Sequence, residues 1–395
     1  MNLKERSPFY PGSPVPVELF VGRSQKIDEI LSYVRNTVNG KQENIFLLGS
    51  RGIGKSSLAS FLKYIVSTNY DMVGIHVFLG KVTTLDEMIR CVLERLLKET
   101  KDQSWFDNIK NMFGKYIRQI GLFGITISFS PPAEELQQLV RHFPECIKNI
   151  LSNILPGKKG LLIILDDING LAGKEEFADW YKSFADEVAT HYPNFPLLLM
   201  LVGLPEKREV LSGLQPSLMR IFRPVEIDRL SDEEVEQFFT RAFESVDLQV
   251  SEEAMNNLVT YSSGLPLLMH EIGDAVFWMD RDGYIDEKDA IVGVYSAAEK
   301  VGEKYLEPKV YKAIRSDRYI SILRKLGKDH IPWNFKKRDI ENKLSDREKR
   351  VFHNFLRKMR ELGVIEMERE RGSYKFVNEI YPIYIWMEST RPKRR

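Results

Sequence analysis

Residues 49–56 read Gly49-Ser50-Arg51-Gly52-Ile53-Gly54-Lys55-Ser56, a complete G-x-x-x-x-G-K-[ST] phosphate loop. The run Asn44-Ile45-Phe46-Leu47-Leu48 before it is short and apolar, as a buried parallel strand is. Ser56 to Ile65 behind it has helical periodicity. This strand–loop–helix order predicts a nucleoside triphosphate, carried with magnesium, as the ligand. Gly49, Gly52 and Gly54 let the backbone turn tightly, so that its N–H groups point at the phosphates. The helix that starts there adds its positive N-terminal end. Lys55 is expected to reach the β and γ phosphates, and the Ser56 hydroxyl to take one magnesium position. Arg51, Ile53 and Ser57, in the same loop and first helical turn, complete the expected nucleotide-binding stretch.

A second run, Leu161-Leu162-Ile163-Ile164-Leu165-Asp166-Asp167, is an apolar strand ending in two acids, the Walker B arrangement. Asp166 is expected to orient magnesium, mostly through its waters, because that ion keeps much of its hydration. Asp167 is placed to polarise an attacking water. Asp is one methylene shorter than the Glu that often stands there, which points to slow hydrolysis.

The 395 residues suffice for two or three domains. From 44 to about 228, strands and helices alternate, which predicts an α/β fold with a mostly parallel sheet. Expected strands are 44–48, 72–78, 161–165, 196–203 and 222–227. Residues 1–20, rich in Pro, Gly and Ser, read as an extended lead-in. Residues 21–229 then form the P-loop domain, interrupted by an insertion at about 99–133 with a hairpin in 116–129. That hairpin suits either the core or a partner. Residues 230–305 have only helical patterning and read as an all-α lid; Ser231-Asp232-Glu233-Glu234 and Ser251-Glu252-Glu253 look like helix N-termini. Residues 306–395 form a basic terminal domain, with expected helices at 311–327, 335–344 and 346–362 and strands at 364–369 and 374–378.

Residues 311–395 carry 23 Lys and Arg against 12 Asp and Glu, leaving 34 and 44 in the remainder. The near-neutral total hides one end suited to a polyanion, or to an acidic neighbour in the same chain. Cys91 and Cys146 are far apart and in no metal-like spacing, as buried thiols in a reducing compartment would be. No apolar stretch approaches membrane-spanning length and the N-terminus has no signal-type apolar core, so a cytoplasmic location is expected.

Two further segments carry a family resemblance. Phe20-Val21-Gly22-Arg23-Ser24 resembles the "hhGRe" box that precedes the P-loop in AAA+ ATPases of the origin-initiator type and in signalling STAND ATPases. Ser263-Gly264-Leu265-Pro266-Leu267-Leu268 resembles the GxP motif of STAND proteins and their initiator-like cousins. The order GR box, P-loop, Walker B, GxP, winged helix spans about 20–386. The resemblance implies ATP as the nucleotide, with Phe20 and Val21 against the base, Arg23 as a polar contact and Pro266 facing the nucleotide at the start of a lid helix. No guanine-specific N/T-K-x-D motif is present. The chain departs from the AAA+ pattern where the strand 196–203 ends in Leu201-Val202-Gly203-Leu204, without a polar sensor. It also lacks a clear lid arginine; His270 is the nearest basic side chain. Both departures point to a slow switch. Arg220 and Arg223 lie where an AAA+ arginine finger would come from, or are plain surface arginines.

In 346–362, Phe352, Phe355, Leu356, Met359 and Leu362 make one apolar stripe. The other face carries Arg347, Arg350, Asn354, Arg357 and Lys358, and Arg371 stands in the turn between the two expected strands. A winged helix with such a face can engage double-stranded DNA. Two classes therefore stand. One is an ATP switch that controls docking of a winged helix on DNA. The other is a STAND-like signalling or defence switch that controls assembly with a protein partner or with itself, without DNA.

Overall fold

The computed structural model describes residues 6–99, 113–120, 126–154, 157–314, 316–327, 333–368 and 370–390. They fall into two compact units: Pro16–Asp228, and Met1–Val15 together with Arg229–Arg395.

The strands of the first unit are, in chain order, β1 (Glu43–Leu48), β2 (Met72–Phe78), β3 (Ile117–Ile120), β4 (Thr126–Phe129), β5 (Gly160–Asp166), β6 (Leu197–Gly203) and β7 (Arg223–Glu226). Five of them form one parallel sheet in the order β2-β5-β6-β1-β7. β1, β5 and β6 are buried along their whole length, which is why they read as unbroken apolar runs. Their ends differ from the expected bounds by one residue. The helices α1 (Ser24–Val38), α2 (Lys55–Asn69) and α3 (Leu85–Glu99), with Glu175–His191, cover the sheet. Phe46, Leu165, Leu201, Phe177 and Phe184 share its core, and the buried Tyr181 hydroxyl donates to Asn44 Oδ1 at 2.8 Å. β3 and β4 pair only with each other, antiparallel. Phe129 at the base of this hairpin is fully buried against Phe113 and Tyr116, so that end belongs to the core. The hairpin tip and 100–112 lie outside the described residues.

The second unit opens with four helices, Asp232–Glu244, Glu252–Ser262, Pro266–Met279 and Glu287–Val301, joined by the two-residue parallel strands β8 (Gln249–Val250) and β9 (Tyr284–Ile285). Both expected starts carry their caps. Ser231 and Glu234 form a reciprocal capping box, and Ser251 Oγ accepts from the Ala254 N–H at 3.1 Å. The N-terminal segment contributes Phe9, buried among Phe238, Phe239 and Phe243. Next to it the Tyr10 N–H donates to His270 Nδ1 at 3.1 Å.

A π-helical run through Pro308 leads on from Glu287–Val301. Helices Asp317–Gly327, Lys337–Glu341 and Asp346–Glu361 follow, with β10 (Asn334–Lys336), β11 (Ile365–Met367), β12 (Ser373–Phe376) and a last helix, Ile380–Thr390. The three strands form an antiparallel sheet in the order β10-β12-β11. The expected helix 335–344 is thus shorter and begins as a strand: Phe335 stacks on Tyr374, and tertiary packing overrides local propensity.

Candidate functional site

In a parallel sheet all strands end at the same edge, and loops at that edge hold ligands. β1 ends in the phosphate loop and β5 ends in Asp166, with β6 between them. Gly49 admits no side chain: a Cβ there would lie 2.8 Å from Ile53 Cγ2 and 2.9 Å from Ile227 Cγ1. Gly54 has φ 93°, a left-handed conformation that other residues resist, and it starts α2. Ile53 is buried and anchors the loop, and its carbonyl accepts from Arg23 Nη2 at 2.5 Å. Arg23 itself sits at φ 64° and is nine-tenths buried. Its position holds the loop from behind, a contact that the resemblance alone did not indicate.

Lys55 Nζ donates to the carbonyls of Gly49 and Ser50, at 2.7 and 2.8 Å. Burial lowers the pKa of its ammonium, and the negative charges of Asp166 and then Asp167 oppose that shift. Lys55 and the two acids, from distant parts of the chain, therefore share one electrostatic site. Ser56 is half-buried and Ser57 buried at the start of α2, while Arg51 is exposed on the loop. Phe20 and Val21 are half-buried, and Phe20 stacks face to face on Phe61 of α2 at 4.4 Å.

Asp166 is buried, and its Oδ2 is 2.9 Å from His76 Nε2 on β2. Asp167 is exposed and held at φ 58°, rare for a non-glycine residue, with Asn169 Nδ2 donating to its carboxylate. Ser56 Oγ and the Asp166 carboxylate are hard oxygen donors. Mg²⁺ takes one or two such protein ligands beside waters and phosphate oxygens. The donor chemistry of this pair suits an ion carried by a phosphate; among the described residues no group of three or more His, Cys, Asp or Glu could hold a metal by itself.

Arg223 opens β7, at the edge of the sheet opposite the phosphate loop, and pairs with Glu43 at 3.6 Å. Arg220, just before it, is exposed. Neither is brought to the chain's own phosphate loop by this placement. In the second unit Pro266 starts its helix after the N-cap Leu265, and the carbonyl of the preceding Gly264 accepts from the Leu230 N–H at 2.9 Å. His270 is no candidate cation: burial pushes its pKa down to about 4, and its Nδ1 is an acceptor for Tyr10.

On Asp346–Glu361, Phe352, Phe355, Leu356 and Met359 are buried and Arg347, Arg350, Asn354 and Arg357 are exposed. Lys349, His353 and Arg360 are exposed beside them and were not singled out from the sequence. Among the described residues Glu361 is the acid that ion-pairs on this face, with Arg357 at 3.9 Å and Lys358 at 3.6 Å, and Asp346 is exposed at the start of the helix. Arg371 is exposed in the β11–β12 turn. Glu348, in the first turn of this helix, is buried and anchors it. Burial alone would raise its pKa, but hydrogen bonds from Lys325, Ser321 and Ser345 outweigh that and hold it at about 2.

The parallel sheet, the phosphate loop and the paired acids define a P-loop ATPase type of domain. Residues 19–191 match the model of the AAA ATPase domain. Over its length the chain is similar in fold to the Walker-type ATPase PABY2304 of Pyrococcus abyssi, at 18% identity and TM-score 0.51, covering 93% of this chain and 96% of that one. It is likewise similar to the ORC2 protein of Aeropyrum pernix in its ADP form, at 13% identity and TM-score 0.50, covering 97% of each. In sequence it is 21% identical over 308 residues to the uncharacterized HTH-type transcriptional regulator MJ0774 of Methanocaldococcus jannaschii, covering 73% of this chain and 71% of that protein. No helix among the described residues is long and apolar enough to cross a membrane.

Proposed function

We propose that the chain is a cytoplasmic, slow ATPase switch whose nucleotide state controls docking of a winged helix on double-stranded DNA. ATP sits on the loop Gly49–Ser56, with Lys55 at its β and γ phosphates. Bound Mg²⁺ supplies charge neutralisation there, held by Ser56 and Asp166. Asp167 orients the attacking water. The helices Asp317–Gly327, Lys337–Glu341 and Asp346–Glu361 with the sheet β10-β12-β11 are read as the winged helix, β11–β12 being the wing. The observation that carries the DNA reading is the exposed face of Asp346–Glu361, where Arg347, Lys349, Arg350 and Arg360 make no ion pair among the described residues. The regulator-like relative and the ORC2-like fold accord with it.

Binding of labelled duplex DNA across a salt series tests this reading. Affinity should fall steeply with salt, and Arg350→Glu with Arg357→Glu should flatten the log–log slope by about 2, near 0.9 for each phosphate contact. Affinity should also differ between ATP and ADP, since only a ligand with unequal affinity for two states shifts them. Duplex affinity that is weak and unchanged in the double variant would refute the DNA role.

A second reading has one specific observation behind it. β6, between the P-loop strand and the Asp166 strand, ends in Gly203, which offers no side chain to a γ-phosphate. A switch of this kind suits nucleotide-controlled assembly with a protein partner or another copy. Arg220 or Arg223 would then act on a neighbour's nucleotide, and Arg220→Ala or Arg223→Ala would keep ATP binding and lose turnover. Full turnover in both variants removes the finger.

A further inference from the structure

β2 reads Met72-Val73-Gly74-Ile75-His76-Val77-Phe78, apolar but for one imidazole. His76 is buried and held on three sides. Its Nε2 lies 2.9 Å from Asp166 Oδ2, its Nδ1 lies 3.2 Å from Ser60 Oγ on α2, and its ring stacks on Phe78 at 4.3 Å. An ionised carboxylate only accepts, so Nε2 carries a proton, and in the neutral ring Nδ1 then accepts from the Ser60 hydroxyl. Phe78 pairs in register with Asp166 and lies two residues from His76, on the same face of its strand. Phe78 is 60% exposed at the end of a core strand, with one side of its ring over the imidazole.

We propose that His76 is a positioning residue for Asp166. It occupies one lone-pair direction of Oδ2, fixes the carboxylate rotamer and leaves Oδ1 to face the phosphate-borne magnesium. Ser60, five residues beyond Lys55 on α2, ties this orientation to the helix that carries the phosphate loop. Groups behind metal ligands orient them in this way, and losing one typically costs about 10- to 100-fold in metal affinity or activity. The inference rests on the reading of Asp166 as the magnesium-orienting acid.

The experiment is a nucleotide titration of the full chain with ADP, at saturating Mg²⁺ and again in EDTA. The wild type should bind ADP more tightly with Mg²⁺. His76→Leu should lose about 10-fold or more of affinity with Mg²⁺ while matching the wild type in EDTA. His76→Gln, whose amide can still donate to Asp166, should recover most of the loss, which a merely structural role would not produce. Ser60→Ala removes only the far partner and should show a smaller loss, again confined to Mg²⁺; it carries the test if His76→Leu does not fold. Equal Mg²⁺ dependence in the wild type and His76→Leu overturns the positioning role. So does an equal loss with and without Mg²⁺, or an unchanged Mg²⁺ dependence in Ser60→Ala together with no rescue by Gln. A wild type that binds no ADP in either condition defeats the nucleotide reading itself, and the inference with it.

Discussion

At the scale of single residues, the site depends on side chains held in conformations that their neighbours impose. Asp167 is the clearest case. A left-handed backbone costs a non-glycine residue about 1–2 kcal/mol, and Asn tolerates it as well as Asp does. Asp167→Asn therefore removes the charge without adding strain. Turnover should fall about 100-fold or more, as for a lost general base, with ATP affinity and melting temperature unchanged. Steady-state hydrolysis beside a thermal melt checks this; undiminished turnover would place the base elsewhere. The phosphate loop and both acids were legible because each motif is contiguous in sequence. His76 was not, since a lone polar residue inside an apolar strand shows its partner only once β2 lies beside β5. The same holds for Arg23, whose bond to the Ile53 carbonyl exists only in the fold.

At the scale of elements, two buried titratable groups make the second unit sensitive to acid in separate ranges. His270 has a folded pKa near 4, below its ordinary 6.5, so the unfolded chain takes up the proton first. Its contribution is complete above about pH 6.5 and is lost as pH falls toward 4. A shift of that size corresponds to about 3 kcal/mol. Glu348 is held near 2, below its ordinary 4.5, so its contribution is complete above about pH 4.5 and is lost as pH falls toward 2. Melting temperature should thus drop already between pH 6.5 and 4.5, and His270→Gln, which keeps an acceptor for the Tyr10 N–H, should flatten that part of the curve. An unchanged pH profile in His270→Gln would assign the early loss to other groups. Strands with long apolar runs and helices with Ser caps could be read in advance. The last helix could not: Ile380, Ile383, Tyr384 and Ile385 are all buried, so the segment is apolar nearly all round and lacks the 3.6-residue period. β10 was hidden for another reason, since Asn334–Lys336 is a strand only through its pairing with β12.

At the scale of the whole molecule, the proposed nucleotide site belongs to Pro16–Asp228 and the basic helix to the other compact unit. The charge asymmetry of the sequence pointed to residues 311–395, and the exposed face of that helix bears part of the charge. What the sequence pattern did not disclose is that the first fifteen residues group with the second unit, so the chain passes between the units twice. A single Phe in a Pro- and Gly-rich stretch carries no periodic signal, yet Phe9 is core. In the proposed switch, nucleotide turnover and the basic helix are coupled. ATP hydrolysis by the full chain, with and without duplex DNA at moderate salt, tests it most directly, with Lys55→Ala as the blank. A slow basal rate is expected that DNA changes at least several-fold, with loss of that response in Arg350→Glu with Arg357→Glu while the basal rate stays. A basal rate above the blank that is indifferent to DNA would contradict it and leave nucleotide-controlled protein assembly as the reading.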